Sequence, residues 1–233
     1  MDQEFEQGFA LIMEAATEYQ FYQALLLHYS KKHPECSMEC LNDPVTFEPY
    51  YVIHGPFGKR VVRLNAVGTI TQIHNSANWF SNRCLSGHPH THSWTVFLCY
   101  DTDDYSDDVS KFYEGDWDAF RSQLSQLGVQ SIIDLAASAD MEDIFLLDLA
   151  GISRYMELAQ PLTPEDIPSG RKGSARLKRL FAAQRQKQAT GKVYHKGERA
   201  RPLIDCLDLD HIIHENLLPL FQLEQIFLST SSS

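Results

Sequence analysis

Two apolar runs in this chain stop abruptly on carboxylates. One is Gly8-Phe-Ala-Leu-Ile-Met-Glu14, and the other is Trp94-Thr-Val-Phe-Leu-Cys-Tyr-Asp101-Thr-Asp103-Asp104. A short run with few polar breaks is the pattern of a strand buried on both faces of a parallel sheet. Between and beyond them the pattern changes period. Ala15 to Ser30 places Tyr19, Tyr22, Leu25 and Leu26 at helical spacing, and Arg60 to Val67 suits a second strand. Thr69 to Phe80 reads as a helix capped by Thr69, and Asp116 to Leu127 as a helix with Trp117, Phe120, Leu124 and Leu127 on one face. Ser131 to Ala137 is a further strand, and Asp140 opens the next helix. This alternation predicts an α/β fold with a mostly parallel sheet and helices on both faces. Residues 32–58, broken by Pro34, Pro44, Pro49 and Pro56, read as an irregular insertion. From Pro202 to Leu228, Leu203, Leu207, Ile212, Ile213, Leu217, Leu220 and Phe221 fall at helical spacing. They predict helices that dock on the sheet or on a second copy of the chain.

Composition adds bounds. A chain of 233 residues, 43% apolar and 22% charged, can bury one sizeable α/β core with a small appendage. No apolar run approaches the roughly 20 residues needed to span a bilayer. The opening Met-Asp-Gln-Glu-Phe-Glu is acidic where a secretory signal is basic. Five irregularly spaced cysteines do not form a disulfide framework, so a cytoplasmic location is expected. The formal charge of −11 argues against a protein that coats nucleic acid, but it is unevenly spread. Residues 170–201 hold eleven Lys or Arg and one acidic residue, Glu198, so +10 falls here and −21 elsewhere. Such a segment is a phosphate-binding arm or a solvated loop.

The carboxylates carry the first chemical reading. Ligands of open α/β sheets collect beyond the carboxyl ends of the strands, where Glu14 and Asp101 fall. Strand alternation points Asp101 and Asp103 the same way, and paired carboxylates repel unless a cation such as Mg²⁺ lies between them. A polar turn closing a strand is the alternative for one such run; two runs are harder to explain that way. Cys36, Cys40, Cys84 and His88 can also be drawn as a zinc site, or read as reduced thiols. His88, His90 and His92 precede the central strand, and a His-x-His pair can hold a metal. Cys84 with His88 and His90, and the later Leu209-Asp210-His211, resemble the pterin synthases in a minor way, with the intervening residues unmatched.

A more extensive resemblance runs from residue 8 to about 150. Leu11-Ile-Met-Glu14-Ala-Ala-Thr17-Glu18 resembles the strand and "EGxTE" opening of the TOPRIM (topoisomerase–primase) domain. Phe97-Leu-Cys-Tyr-Asp101-Thr-Asp103 resembles its "DxD" motif. Ala139-Asp-Met-Glu142-Asp-Ile-Phe-Leu-Leu is similar to a segment of small stand-alone TOPRIM proteins of phage-defence operons, the RloB-like proteins and relatives of the overcoming-lysogenisation-defect nucleases. Gly173 to Lys196 resembles their lysine-bearing tail. Ala15 departs from the family's Gly, and Ala resists a positive φ. The resemblance implies a TOPRIM-like domain over 1–150 and a helical extension over 151–233.

It also implies a metal-dependent nuclease acting on DNA or RNA, a toxin or effector of antiviral defence. Glu14, Asp101 and Asp103 would bind Mg²⁺ or Mn²⁺, Glu142 a second ion, and Lys196 or Lys172 would neutralise phosphoryl charge. Lys172, Arg176, Lys178 and Arg179 are expected to contact nucleic acid. The alternative is a catalytically weak scaffold for a partner ATPase, since the chain has no GxxxxGK[ST] loop of its own. Divalent-ion chemistry separates the two.

Overall fold

In the computed structural model, which describes residues 5–86, 91, 93–101, 114–137, 140–215 and 219–229, the first apolar run lies at the centre of a six-stranded sheet. This strand, β1 (Gln7–Met13), pairs in parallel with β4 (Gly58–Ala66) on one side and β5 (Trp94–Asp101) on the other. Beyond β5 lies β6 (Ser131–Ala137), also parallel. β2 (Ser37–Asn42) and β3 (Pro49–Gly55) complete the order β2-β3-β4-β1-β5-β6.

The sheet is therefore mixed: the mostly parallel expectation holds for β4, β1, β5 and β6 and fails for β2 and β3. Residues 32–58 are not an irregular insertion but supply an antiparallel meander, β2 to β3 to β4. Short connections permit only antiparallel neighbours. The β2–β3 turn is held by the Asp43 side chain, which accepts from the amides of Val45 and Thr46 at 2.9 and 3.0 Å.

Strand alternation in β1 divides the core. Phe9, Leu11 and Met13 enter one layer, Ala10 and Ile12 the other. The larger layer takes α1 (Ala16–Lys32), α4 (Met141–Phe145), α5 (Leu149–Met156), α6 (Gly173–Gln188), α7 (Arg201–Ile204) and α8 (Leu209–Glu215). The smaller takes α2 (Ser76–Phe80) and α3 (Glu114–Gln126). α2 is the middle of three turns, a 3-10 stretch before it (Ile70–Asn75) and a π-helical one after it (Ser81–Leu85), where one regular helix was expected.

Residues after 150 bury Ile152, Met156, Leu177, Phe181, Leu203 and Ile212 in the same layer as the sheet. Half of the basic stretch is α6, whose Leu177, Leu180, Phe181 and Gln184 form the buried side. The C-terminal stretch ends in a 3-10 helix, Leu220–Ile226, clamped by the buried Arg60. The Arg60 guanidinium donates to the carbonyls of Gln225, Ile226 and Leu228 at 3.0, 3.0 and 2.7 Å and stacks 3.6 Å from the Phe57 ring. Of the C-terminal residues expected in the core, Phe221 is exposed and Leu217 lies outside the described residues.

The zinc drawing is not supported. Cys36 and Cys84 are buried in layers on opposite faces of the sheet, Cys40 is exposed on β2, and His88 lies outside the described residues. Among the described residues no helix is long and apolar enough to cross a membrane.

Candidate active site

Register brings the carboxyl ends of the four parallel strands to one edge, where the chain after β1, β5 and β6 supplies acidic residues. Met13 pairs with Cys99, and Asp101 pairs with Ala137. Glu14 follows β1 directly, Asp101 closes β5, and Asp140 and Glu142 follow β6 at the start of α4. Glu18 joins them from the first turn of α1. Ala15, where the TOPRIM pattern has Gly, is extended at φ −144°. No left-handed turn is needed there, so Ala is accommodated. Asp103, with Asp104, Asp107, Asp108, His88, His90 and His92, lies outside the described residues.

The edge is strongly acidic and poorly hydrated. Burial pushes the Asp101 carboxyl up to about 9, and Glu18, Glu14, Asp140 and Glu142 add to that push. Glu18, only 5% exposed, is pushed up to about 7, first by burial and then by Glu14 and Glu142, against the opposing pull of its own backbone amide and of Lys196. Asp140 is raised by burial and by Glu142, while hydrogen bonds from Ser174 pull the other way. Two oxygens, Glu18 Oε2 and Asp101 Oδ1, are buried with no hydrogen-bond partner among the described residues. A buried, unpaired carboxylate oxygen is costly, and a proton or a bound cation relieves that cost.

Glu142 has a different role. Only 1% of its side chain is exposed, and its Oε1 accepts from the Tyr194 hydroxyl at 2.6 Å and from the Lys196 ammonium at 3.1 Å. The lysine side chain is 49% exposed, so its charge stays at the open rim. Burial alone would lower the Lys196 ammonium; Glu142, Asp140 and Glu18 outweigh it and raise it. One residue on, Gly197 at φ +72° donates its amide to Thr17 Oγ1 at 2.8 Å, tying this segment to the start of α1.

α6 is anchored to the same edge. The Ser174 amide donates to Asp140 at 3.0 Å, the Gly173 amide to Asp143 at 3.1 Å, and Arg176 pairs with Asp143 at 2.8 Å. Only glycine allows this approach, because a Cβ at 173 would stand 2.4 Å from both Asp140 Oδ1 and the Asp143 amide nitrogen. Of the residues expected to contact nucleic acid, Lys172 caps this end of α6 and is exposed, as are Lys178 and Arg179. Arg176 is spent mainly within the fold, on Asp143 and the Pro168 carbonyl. Arg179 donates to the carbonyls of Ala175 and Ser169.

The structure thus brings Glu14, Asp101, Glu142 and Lys196 to one edge, and adds Glu18, Asp140 and Tyr194, which the sequence reading had not singled out as site residues. Glu18 lies in the first turn of α1, two residues after its start at Ala16, which carries it back beside the end of β1. The pterin-synthase echo gains nothing: Asp210 pairs with Lys32 at 2.8 Å and His28 at 3.2 Å on the surface of α1, and Cys84 is deep in the core.

The donor set suits a hard divalent cation, being carboxylate oxygen throughout with two oxygens unpaired. Among the described residues, no three His, Cys, Asp or Glu side chains are gathered closely enough to hold a metal ion. Comparison with protein-family models, curated proteins and solved structures returns no match.

Proposed function

We propose that this chain is a divalent-cation-dependent nuclease that hydrolyses phosphodiester bonds at the carboxyl edge of its parallel strands. The observation that carries this reading is the pair of buried, unpaired oxygens of Glu18 and Asp101, on an edge where five carboxyl groups influence one another. In this reading Glu14, Glu18 and Asp101 hold Mg²⁺ or Mn²⁺, with Asp103 as a further ligand. Such an ion, when bound, polarises the phosphoryl group and supplies an activated water. Asp140 is already occupied by α6 and serves to position that helix. Lys196, carried at the rim by Glu142, offsets the charge of an approaching phosphate, which the acidic edge would otherwise repel. The cationic surface of α6, through Lys172, Lys178 and Arg185, gives the nucleic-acid backbone a sequence-independent hold.

The test is cleavage of labelled DNA and RNA with Mg²⁺ or Mn²⁺. Glu14→Ala and Asp101→Ala should each abolish it, and cleavage that persists in both variants would remove the assignment. A role as an antiviral effector rests on the TOPRIM resemblance. It should appear as growth arrest on expression that requires the same two residues.

One observation favours a second, catalytically weak reading, in that no three described carboxylates stand at ion-binding spacing; that such a chain is a scaffold for a partner ATPase rests on the TOPRIM resemblance. Absence of divalent-cation binding, together with capture of an ATPase, would select it.

A further inference from the structure

We propose that Tyr194 and Thr17 are positioning residues that fix the Lys196 ammonium over the acidic edge. Lys196 sits between two anchors. Before it, the Tyr194 hydroxyl donates to Glu142 Oε1 at 2.6 Å, the same oxygen that receives the lysine at 3.1 Å. After it, the Gly197 amide donates to Thr17 Oγ1 at 2.8 Å. The segment between them has no regular structure of its own, so these two bonds set where the lysine backbone runs.

Each anchor is itself held. Tyr194 is 5% exposed and its ring lies 6.0 Å from that of Phe181 on the buried side of α6. Burial and the Glu142 carboxylate push its hydroxyl far up, so it remains a donor. Thr17 is 5% exposed in the first turn of α1, next to Glu18. The strap therefore joins the elements that carry Glu18 and Glu142, and its charged middle residue faces both. A lone Lys196–Glu142 pair would be a half-exposed ion pair, which holds a flexible side chain poorly. A second donor on the same oxygen fixes the carboxylate rotamer, and the lysine follows it.

The inference rests on the nuclease reading for its catalytic meaning, but its geometry is testable without cleavage. The full chain labelled with ¹⁵N at lysine Nζ, with Lys196→Arg for assignment, reports whether the ammonium protons exchange slowly. Slow exchange is expected in the unsubstituted protein, and Tyr194→Phe, which keeps the ring on Phe181, should speed it at least about fivefold, as loss of one charge-assisted network bond implies. Thr17→Val should do the same. A Lys196 signal in fast exchange from the start, or one unchanged by both substitutions, overturns the proposal.

The catalytic arm is a double-mutant cycle. Tyr194→Phe should lower kcat at least about tenfold with KM little changed, and lose most of that effect in the Lys196→Met background. Equal effects in both backgrounds indicate a merely structural role and overturn the positioning claim. If the unsubstituted chain cuts nothing, the nuclease reading fails while the exchange measurement still decides the geometry.

Discussion

Glu18 lies near enough to Asp101 to be, after burial, the strongest influence holding a proton on that carboxyl group. The two come from different elements, the first turn of α1 and the end of β5. Each buries an oxygen that no described group bonds. A fold that places like charges together in poor water carries a cost that a cation would remove.

That cost has a sign in pH. Asp101 rises from an ordinary 3.8 to about 9, and Glu18 from 4.5 to about 7. A carboxyl whose folded value is raised contributes stability that is full below the unfolded value and is lost as pH rises through the folded one. Without divalent cations, stability should therefore decline between about pH 4 and pH 9. Asp101→Asn, which resembles the protonated acid, should melt several degrees higher than the unsubstituted chain at pH 8 and little differently near pH 4. Calorimetry across that range in chelator checks it. Equal melting at pH 8 contradicts the expectation.

Asp43 titrates in the opposite sense. Burial would raise its carboxyl, but the Thr46 and Val45 amides and the Arg63 guanidinium, paired at 3.0 Å, hold it down to about 2. Its contribution is present above about pH 3.8 and is lost as pH falls toward 2. Asp43→Asn keeps an oxygen for the turn amides but takes the carboxylate away from a buried guanidinium. It should cost about 3–5 kcal/mol at neutral pH, and less as the pH approaches 2. Urea unfolding of both proteins at neutral and acid pH measures the difference.

Gly173 has no room for a side chain against Asp140 and Asp143. Gly173→Ala should push the start of α6 off the site edge, at a cost of about 1–3 kcal/mol or more. The Ser174 amide, released from Asp140, should then exchange with solvent faster by hydrogen-exchange mass spectrometry. Unaltered protection would show that α6 is not docked as described.

How much of this was legible follows from how each feature is encoded. β1 and β5 announce themselves because strands buried on both faces are written as continuous apolar runs, and β6, a half-buried edge strand, shows through its β-branched Ile132 and Ile133. β2 is an exposed edge strand, Ser-Met-Glu-Cys-Leu-Asn, whose alternation lasts only four residues and buries almost nothing, so the antiparallel meander was hidden. Glu14 and Asp101 stood out because each ends an apolar run. Glu18 and Asp140 did not, because an acid in a first turn or at an N-cap already has an ordinary structural reason to be there. The charges of α6 obscured a legible stripe, Leu177, Leu180, Phe181 and Gln184, spaced as a helix buries it. The tie between Thr17 and Gly197 spans 180 residues of sequence, a contact that no local pattern encodes.

The cationic surface of α6 has its own test. Lys178 is exposed, whereas Arg176 is committed to Asp143. Lys178→Ala should weaken binding to DNA and RNA alike and reduce the salt slope by about one unit, one phosphate contact. Arg176→Ala should instead lower stability as well as binding. An unchanged slope in the Lys178 variant would return this face to plain solvation.

The central claim is that the edge formed by Glu14, Glu18 and Asp101 is a divalent-cation site. Titration of the metal-free chain with Mn²⁺, followed by electron paramagnetic resonance of the free ion, tests it most directly. The account expects the chain to bind Mn²⁺, and Glu14→Gln and Asp101→Asn each to weaken that binding at least about tenfold, since losing even an outer partner of a metal ligand costs about 10–100-fold. No Mn²⁺ bound by the unsubstituted chain, or binding that both variants leave intact, would contradict it.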